Sequence, residues 1–141
     1  MTKKELREQL LAQITPEEWE HLRAGDNCLR VSDFNRRTVM RLEEEVQGDS
    51  DAPVDSDSAA ELANALQAYL GQYMAESPEA HKWIILACLF SAFIAGEPLH
   101  PVEVVHAVQR VENGETYWYC TAREDIPGSL CRWCVCRKAE N

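Results

Sequence analysis

A long apolar segment near the middle of the chain constrains the fold more than any other feature. Every residue but one from Trp83 to Ala95 is apolar. Ser77 suits the cap of a helix, Pro78 its first turn and Gly96 its left-handed end. A helix that is apolar on every side must be covered on every side, so the sequence predicts a central helix from Pro78 to Gly96 surrounded by other helices. The segment is too short for a membrane span, and we expect it inside a protein core.

The remaining hydrophobic pattern predicts a mainly α fold of four to five helices in one domain of 141 residues. Three N-terminal helices are expected in residues 1–47. The first runs from Thr2 to Gln13, the second starts at the cap Thr15, and the third starts at the cap Ser32 and extends to Gln47. An acidic loop is expected at 48–56. A fourth helix, starting at Asp57 or Ser58, should form an antiparallel hairpin with the central helix within 57–96. Residues 97–141 should contain a β-hairpin and a cysteine-rich tail.

The formal charge of −10 limits the classes of partner. Residues 48–80 contain seven acidic side chains and no Lys or Arg. Nucleic acids and anionic membranes would be repelled, so we expect neither as a partner. The start of the chain, MTKKELREQL, has no apolar h-region of a signal peptide, and we expect a cytoplasmic protein. In a reducing cytosol, six cysteines indicate metal binding or burial rather than disulfides.

A β-hairpin is predicted after the central helix. Asn113 and Gly114 lie between two runs rich in β-branched and aromatic residues, at 102–111 and 116–121. Asn-Gly is typical of a two-residue hairpin turn because both turn positions need positive φ. The register that follows pairs three sets of residues across the strands: Val111 with Thr116, Gln109 with Trp118, and Ala107 with Cys120. Two strands alone are marginally stable, so the hairpin should lean on another part of the chain.

The tail carries the pattern with the most chemical content. Cys131 and Cys134 form a C-x2-C unit, a spacing that lets two thiolates converge on one metal ion from a tight turn. Cys120 lies at the end of the second predicted strand, as in ribbon-type zinc sites. These three residues are therefore predicted ligands of Zn²⁺. An iron–sulfur cluster held by the same three cysteines and Cys136 is the minority alternative to Zn²⁺.

The fourth ligand has three candidates. His100 is favoured because it lies in a turn at the mouth of the hairpin. Cys136 is the alternative, since we expect its side chain to point away from Cys134 in an extended segment. His106 ranks third because it is one residue out of register with Cys120 and should face the other side of the hairpin.

The remaining candidates have simpler interpretations. Cys88 should be a small apolar side chain of the core, and Cys28 has no assigned role. His21 is interpreted as a surface residue, and His81 and Lys82 as the exposed start of the central helix. No catalytic residues are predicted, because the sequence shows neither a phosphate-binding glycine loop nor a convincing Ser/His/Asp set.

The tail resembles an uncharacterised protein family found mainly in methanogenic archaea. Three pieces over about the last 45 residues carry the resemblance: His100-Pro101-Val102, Tyr117-Trp118-Tyr119-Cys120 and Leu130-Cys131-Arg132-Trp133-Cys134. The resemblance implies a Cys or His before Pro-Val, which favours His100 as a ligand. A Phe-Pro-Gly-Gly run associated with the first strand is replaced here by Val104-Val105-His106-Ala107. The family implies no activity.

These features predict a non-catalytic, zinc-stabilised module that engages a protein partner, with the acidic segment as a candidate contact. The alternative from another class is a redox or metal-handling protein that uses the same thiolates, with an iron–sulfur cluster as one form. A zinc hydrolase ranks last because the sequence offers no evident general base.

Overall fold

The computed structural model describes residues 1–44, 51–100, 107–126 and 129–139. Within these residues the chain forms five α-helices followed by a three-stranded sheet. The elements are α1 (Lys3–Leu11), α2 (Pro16–Ala24), α3 (Asp33–Met40), α4 (Ser56–Tyr73), α5 (Pro78–Phe90), β1 (Val108–Glu112), β2 (Glu115–Cys120) and β3 (Arg137–Lys138). Short 3₁₀ turns follow α3 at Arg41–Glu43 and precede β3 at Leu130–Trp133. The predicted mainly α fold with a C-terminal hairpin is confirmed.

The first three helices begin at side-chain caps. The hydroxyls of Thr2 and Thr15 each accept a hydrogen bond from the backbone N–H three residues later in the chain. In turn, the carboxylates of Glu5 and Glu18 accept a hydrogen bond from the backbone N–H of the capping threonine. Such a capping box satisfies two otherwise unpaired donors. Ser32 caps α3 with a single hydrogen bond, which its hydroxyl accepts from the Asn35 N–H. The starts predicted at Thr15 and Ser32 are therefore confirmed.

The central helix starts at Pro78 and stops at Gly96 as predicted, but its cap and its last turn differ from the prediction. Within the described residues Ser77 makes no side-chain capping bond; instead the Nε2 atom of His81 lies 2.7 Å from the carbonyl oxygen of Met74. At the other end, α5 continues into a π-helical segment at Ser91–Ala95 before Gly96, with φ of 64°, reverses the chain. The predicted left-handed stop is confirmed, and the π segment was not predicted.

The central helix is deeply buried on one side and half-buried on the others, with no exposed residue from Ala80 to Ala95. It packs against α3 and α4, which bury Trp83, Leu86 and Phe90. Only 39% of the segment Pro78–Ala95 is buried, however, and Ile84 is half-buried. The predicted arrangement of helices around this segment is confirmed, with cover that is complete on one side of the helix and partial on the others. By length and composition this segment could also cross a membrane, so the prediction that it is too short is wrong; its buried face packs in the helical core.

The described part of the acidic loop is tied to the N-terminus. Pro53 pairs with Thr2 in an isolated β-bridge, and Val54 is 6% exposed in the core. The Asp55 carboxylate then caps α4, which starts at Ser56 rather than at the predicted caps one or two residues later. At the other end, α3 stops at Met40 and its 3₁₀ extension at Glu43, so the helix is shorter than predicted. Residues 45–50 lie outside the described residues.

The sheet confirms the predicted hairpin register. Gln109 pairs with Trp118 and Val111 with Thr116 across an antiparallel ladder. The turn has positive φ at Asn113 (53°), as the Asn-Gly signal requires. The third strand, β3, pairs with β2 in parallel and was not predicted. This strand provides the additional support that a two-stranded hairpin needs.

Candidate metal centre

The predicted ligands in the described residues meet at one small cavity. Its volume is about 60 Å³. The lining residues are Pro98, Leu99, His100, Cys120, Ala122, Arg123, Leu130, Cys131, Cys134 and Cys136. The structure thus brings together the favoured set of His100 and three cysteines, and also the alternative Cys136. His106 lies outside the described residues.

The pairing of β2 with β3 explains why two of the cysteines share a face. Cys120 lies opposite Lys138 in the parallel ladder. Side chains alternate along a strand, so Cys136, two residues before Lys138, faces the same side as Cys120. Both cysteines are buried, at 8% and 3% exposure, and they pack with Ala107 in a small apolar cluster separate from the helical core. The sheet therefore presents two thiols to the cavity from adjacent strands.

Cys136 does not point away from Cys134 as predicted. Burial raises the pKa of the Cys136 thiol to about 12, and the adjacent Cys134 thiol, hydrogen-bonded to it, adds to the shift. The prediction is wrong because residues two apart in an extended segment lie on the same side. The positive charge of Arg123 acts in the opposite direction on this pKa but does not offset the effect of burial. Cys136 is therefore as well placed as His100 to be the fourth ligand. His100 also lines the cavity, where it is exposed.

Arg123 organises the backbone around the cysteines. Its Nη1 atom donates to the carbonyl oxygens of Cys131 and Cys136, each at 2.7 Å, and reaches that of Cys134 at 3.4 Å. Its Nε donates to Asp125 at 2.7 Å, and the Arg123 side chain is only 19% exposed. One guanidinium thereby satisfies carbonyls from three cysteines. Sequence reasoning missed Arg123, because no spacing rule marks an arginine whose partners are backbone atoms.

The C-x2-C turn is docked on the helical body. Ser129 Oγ accepts the Cys131 N–H at 3.1 Å, and the Cys134 N–H closes the turn onto the Cys131 carbonyl at 3.0 Å. Leu130 and Trp133, on either side of the first cysteine, pack against the main hydrophobic core. These contacts fix the turn next to α4 and α5 while the cysteine side chains face the cavity.

Cys88 lies near the same thiols, which the sequence did not predict. It is half-buried on α5 and packs against the helical core, as expected of a small apolar side chain. Burial raises the pKa of its thiol to about 12, and Cys134 adds to the shift. The central helix thus carries a thiol that is influenced by that of Cys134, although Cys88 is not among the residues that line the cavity.

The tail donors surround the cavity but are not at metal-bonding spacing. Among the described residues, the set of three potential ligand atoms that lie within 4.8 Å of one another is elsewhere, at His21, Asp26 and Cys28. None of the six cysteines, all of which lie in the described residues, is part of a disulfide. The potential ligands in the tail are cysteine sulfurs and one histidine imidazole. These are the ligand types that bind Zn²⁺ in structural sites.

Comparison with known proteins identifies the family to which this helical body and its cysteine-lined tail belong. Residues 5–139 match the family described as "uncharacterized protein conserved in archaea" (DUF2115), and the chain belongs to this family. UPF0305 protein MJ0646 from Methanocaldococcus jannaschii is 29% identical over 97 residues, which are 64% of this chain and 57% of the relative. The chain thus spans a little over half the length of this relative. No solved structure matches the chain.

The family match confirms the resemblance in the tail and extends it. The sequence pieces that carried the resemblance cover about the last 45 residues, whereas the match covers residues 5–139. The helical body therefore belongs to the family together with the tail. Neither the family description nor the name of the relative states an activity.

Proposed function

We propose that the tail binds one Zn²⁺ through Cys120, Cys131 and Cys134, with His100 or Cys136 as the fourth ligand. The chain is then a non-catalytic, metal-stabilised module of the cytoplasm that engages a protein partner. The observation that carries the proposal is the convergence of these five side chains on one cavity. The ion joins a strand end, a turn and the segment that follows α5 into one unit.

The size and lining of the cavity favour an ion over an organic substrate. A volume of about 60 Å³ is far below the roughly 300–1,000 Å³ of typical small-molecule sites. Thiolates with one imidazole are ligands that Zn²⁺ accepts, and its positive charge offsets the cost of ionising neighbouring thiols. A zinc hydrolase would need room for its substrate beside the ion, which argues against that alternative.

Exposed features on the helical body are candidate contacts for a protein partner. Tyr69 and Tyr73 lie on α4 with ring centroids 4.7 Å apart, and they are 47% and 61% exposed. Aromatic residues are enriched at protein interfaces. The acidic side chains of Asp51, Asp55 and Asp57 precede and open the same helix. A partner with basic and apolar side chains would suit this combination.

A second candidate function uses the same cysteines for redox or metal-handling chemistry. The thiols of Cys134 and Cys136 are in hydrogen-bond contact, which places two sulfurs of a C-x-C pair side by side. Such a pair can be oxidised to a disulfide, and the four tail cysteines could instead hold an iron–sulfur cluster. This candidate predicts a bound metal other than zinc or a reversible change in thiol count.

Elemental analysis of protein purified without oxygen separates the two candidates. Zinc bound by sulfur at about 2.3 Å, measured by X-ray absorption, supports the first. Iron with acid-labile sulfide supports the second. Cys131→Ser should lose about one equivalent of zinc relative to the unaltered chain. Val135→Ser is the matched control, because Val135 is 40% exposed between two cysteines and offers no ligand. If Cys131→Ser keeps its full zinc content, the proposed site is wrong.

A further inference from the structure

The end of α2 gathers three potential metal ligands far from the tail in sequence. Gly25, with φ of 68°, ends the helix and turns the chain back on itself. This reversal brings the Asp26 Oδ2 atom to 2.8 Å from Nδ1 of His21, which lies one turn before the helix end. The N–H of Cys28 donates to the other carboxylate oxygen, Oδ1, at 3.0 Å. The Asp26 carboxylate thus lies between an imidazole and a cysteine.

The three side chains supply one nitrogen, one oxygen and one sulfur. A ring nitrogen of His21, a carboxylate oxygen of Asp26 and Sγ of Cys28 all lie within 4.8 Å of one another, and Nδ1 is the ring nitrogen that contacts Asp26. No other such set is found among residues 1–44, 51–100, 107–126 and 129–139. Three donor atoms at this separation are close enough to share one ion after small side-chain rotations, because metal–ligand bonds of about 2.0–2.3 Å place ligand atoms roughly 3–4 Å apart.

The charges around these side chains suit a cation. Asp26 raises the pKa of His21 through its hydrogen bond, and the nearby carboxylates of Glu20 and Glu17 act in the same direction. The closest arginine on the same helix, Arg23, is paired with Glu43 at 3.1 Å instead. Arg36, whose guanidinium donates to the Leu22 carbonyl near this end of α2, is paired with Asp33 at 3.1 Å. Both arginines therefore have carboxylate partners outside the three side chains.

We propose that His21, Asp26 and Cys28 form a second metal site, which binds a divalent first-row transition-metal ion such as Zn²⁺. Imidazole, carboxylate and thiolate are all ligands of Zn²⁺, and three protein ligands leave one position of a tetrahedral ion open. Asp26 and Cys28 are exposed, so that open position faces solvent. Binding releases the thiol proton of Cys28 and, where the imidazole is charged, the Nδ1 proton of His21.

Titration with Co²⁺ tests this second site, because a cobalt–thiolate bond gives an absorption band that water or carboxylate ligands do not. Cys28→Ser should lose about one equivalent of the cobalt–thiolate band. His21→Gln and Asp26→Asn should each weaken binding at this site by at least about tenfold. Loss of a residue that only hydrogen-bonds to a metal ligand already lowers metal affinity about 10–100-fold, and loss of a ligand should cost at least as much. Glu20→Gln is the matched control: it removes a nearby carboxylate but no ligand, and it should keep the full band.

Repeating the titration in Cys131→Ser and in the double variant Cys28→Ser/Cys131→Ser distinguishes binding at the tail site from binding at the second site. If both sites bind, each single variant loses its own equivalent and the double variant loses both. A tail that binds no metal leaves the band in Cys131→Ser unchanged, and its complete loss in Cys28→Ser still supports the second site. Equal bands in Cys28→Ser and the unaltered chain would overturn the second site, whatever the tail does.

Nuclear magnetic resonance of the His21 ring provides a readout that does not depend on the thiol. On addition of Zn²⁺ to the Cys131→Ser chain, the ¹⁵N resonance of His21 Nδ1 should shift to the position of a metal-bound nitrogen. Nε2 should then carry the proton. A shift at Nε2 instead, or no shift at saturating zinc, contradicts the proposed coordination.

Discussion

The Nη1 atom of Arg123 lies 2.7 Å from the carbonyl oxygen of Cys136. The same atom is 2.7 Å from the carbonyl oxygen of Cys131, five residues earlier in the tail. One cation therefore joins the C-x2-C turn to the residue that enters β3. The backbone of the tail is held by a guanidinium while its side chains face the cavity.

Arg123→Met should loosen the tail without unfolding the helices. The variant removes the guanidinium bonds to the tail carbonyls, and the Cys131 carbonyl keeps only the Cys134 N–H. Losing hydrogen bonds to a charged donor costs roughly 1.5–3 kcal/mol. We expect faster amide hydrogen exchange in residues 129–136, measured by mass spectrometry. Arg132→Met is the control, because that arginine is 60% exposed and pairs with an equally exposed Glu61. Equal exchange in both variants would mean that Arg123 does not organise the tail.

Truncation in the central helix should reduce the stability of the whole domain. Leu86 and Phe90 are 1% and 5% exposed, and replacing either with alanine leaves a cavity beside α3 and α4. We expect a loss of roughly 3–5 kcal/mol in the free energy of unfolding, measured by urea denaturation. Phe93→Ala removes the same aromatic ring from a half-buried position and should cost less. Similar losses at Phe90 and Phe93 would show that the half-buried side of the helix is fully covered in solution.

Removal of metal should affect the tail more than the helices. Cys120, Cys136 and Ala107 form a cluster of their own, whereas α1 to α5 share the main core. Units with few core contacts open locally before the protein unfolds. We therefore expect a chelator to increase hydrogen exchange in β2 and the tail while the helical circular dichroism is largely kept. A cooperative loss of helix on chelation would show that Leu130 and Trp133 make the tail part of the main core.

Acid should weaken the contact between α2 and α5. The Glu18 carboxylate accepts from Lys82 at 2.7 Å and also closes the capping box with Thr15. Burial raises the pKa of Glu18, but these hydrogen bonds outweigh it, so the pKa lies below its ordinary value of 4.5. A lowered folded-state pKa stabilises the fold above the unfolded pKa, and this stabilisation is lost as the pH falls through the folded value.

Glu18→Gln tests this pH dependence. The free energy of unfolding of the variant should fall less steeply than that of the unaltered chain below about pH 4.5. Glu17→Gln changes the same charge at an exposed neighbouring position and should keep the original slope. Identical slopes for all three chains would show that the pair with Lys82 contributes nothing to the acid transition.

Local signals in the sequence account for the parts of the fold that were predicted correctly. The caps at Thr15 and Ser32, the stop at Gly96 and the turn at Asn113 each depend on the conformation of a few adjacent residues. Such preferences act within one turn of backbone and can be read directly. The hairpin register followed from the turn alone, since a two-residue loop fixes which residues are opposite.

The features that were missed depend on contacts between distant segments. The parallel pairing of β3, the carbonyl partners of Arg123 and the approach of Cys88 to Cys134 all require the folded chain. Two residues of strand carry too little periodicity to be recognised. The orientation of Cys136 could have been predicted, because alternation along an extended segment places it on the side of Cys134.

The π-helical segment Ser91–Ala95 holds one residue more than an α-helical turn would, because its hydrogen bonds span five residues instead of four. The extra residue widens the helix locally, so the chain leaves the segment at nearly the angle that an α turn would give. Deleting one residue within Ser91–Ala95 should therefore keep Glu97 facing Arg41, from which its carboxylate receives two hydrogen bonds. Deleting one residue within the regular helix Pro78–Phe90 would instead rotate everything that follows by about 100° around the helix axis. The π segment is thus the part of the central helix where the chain can lose a residue and keep its alignment with the residues after α3.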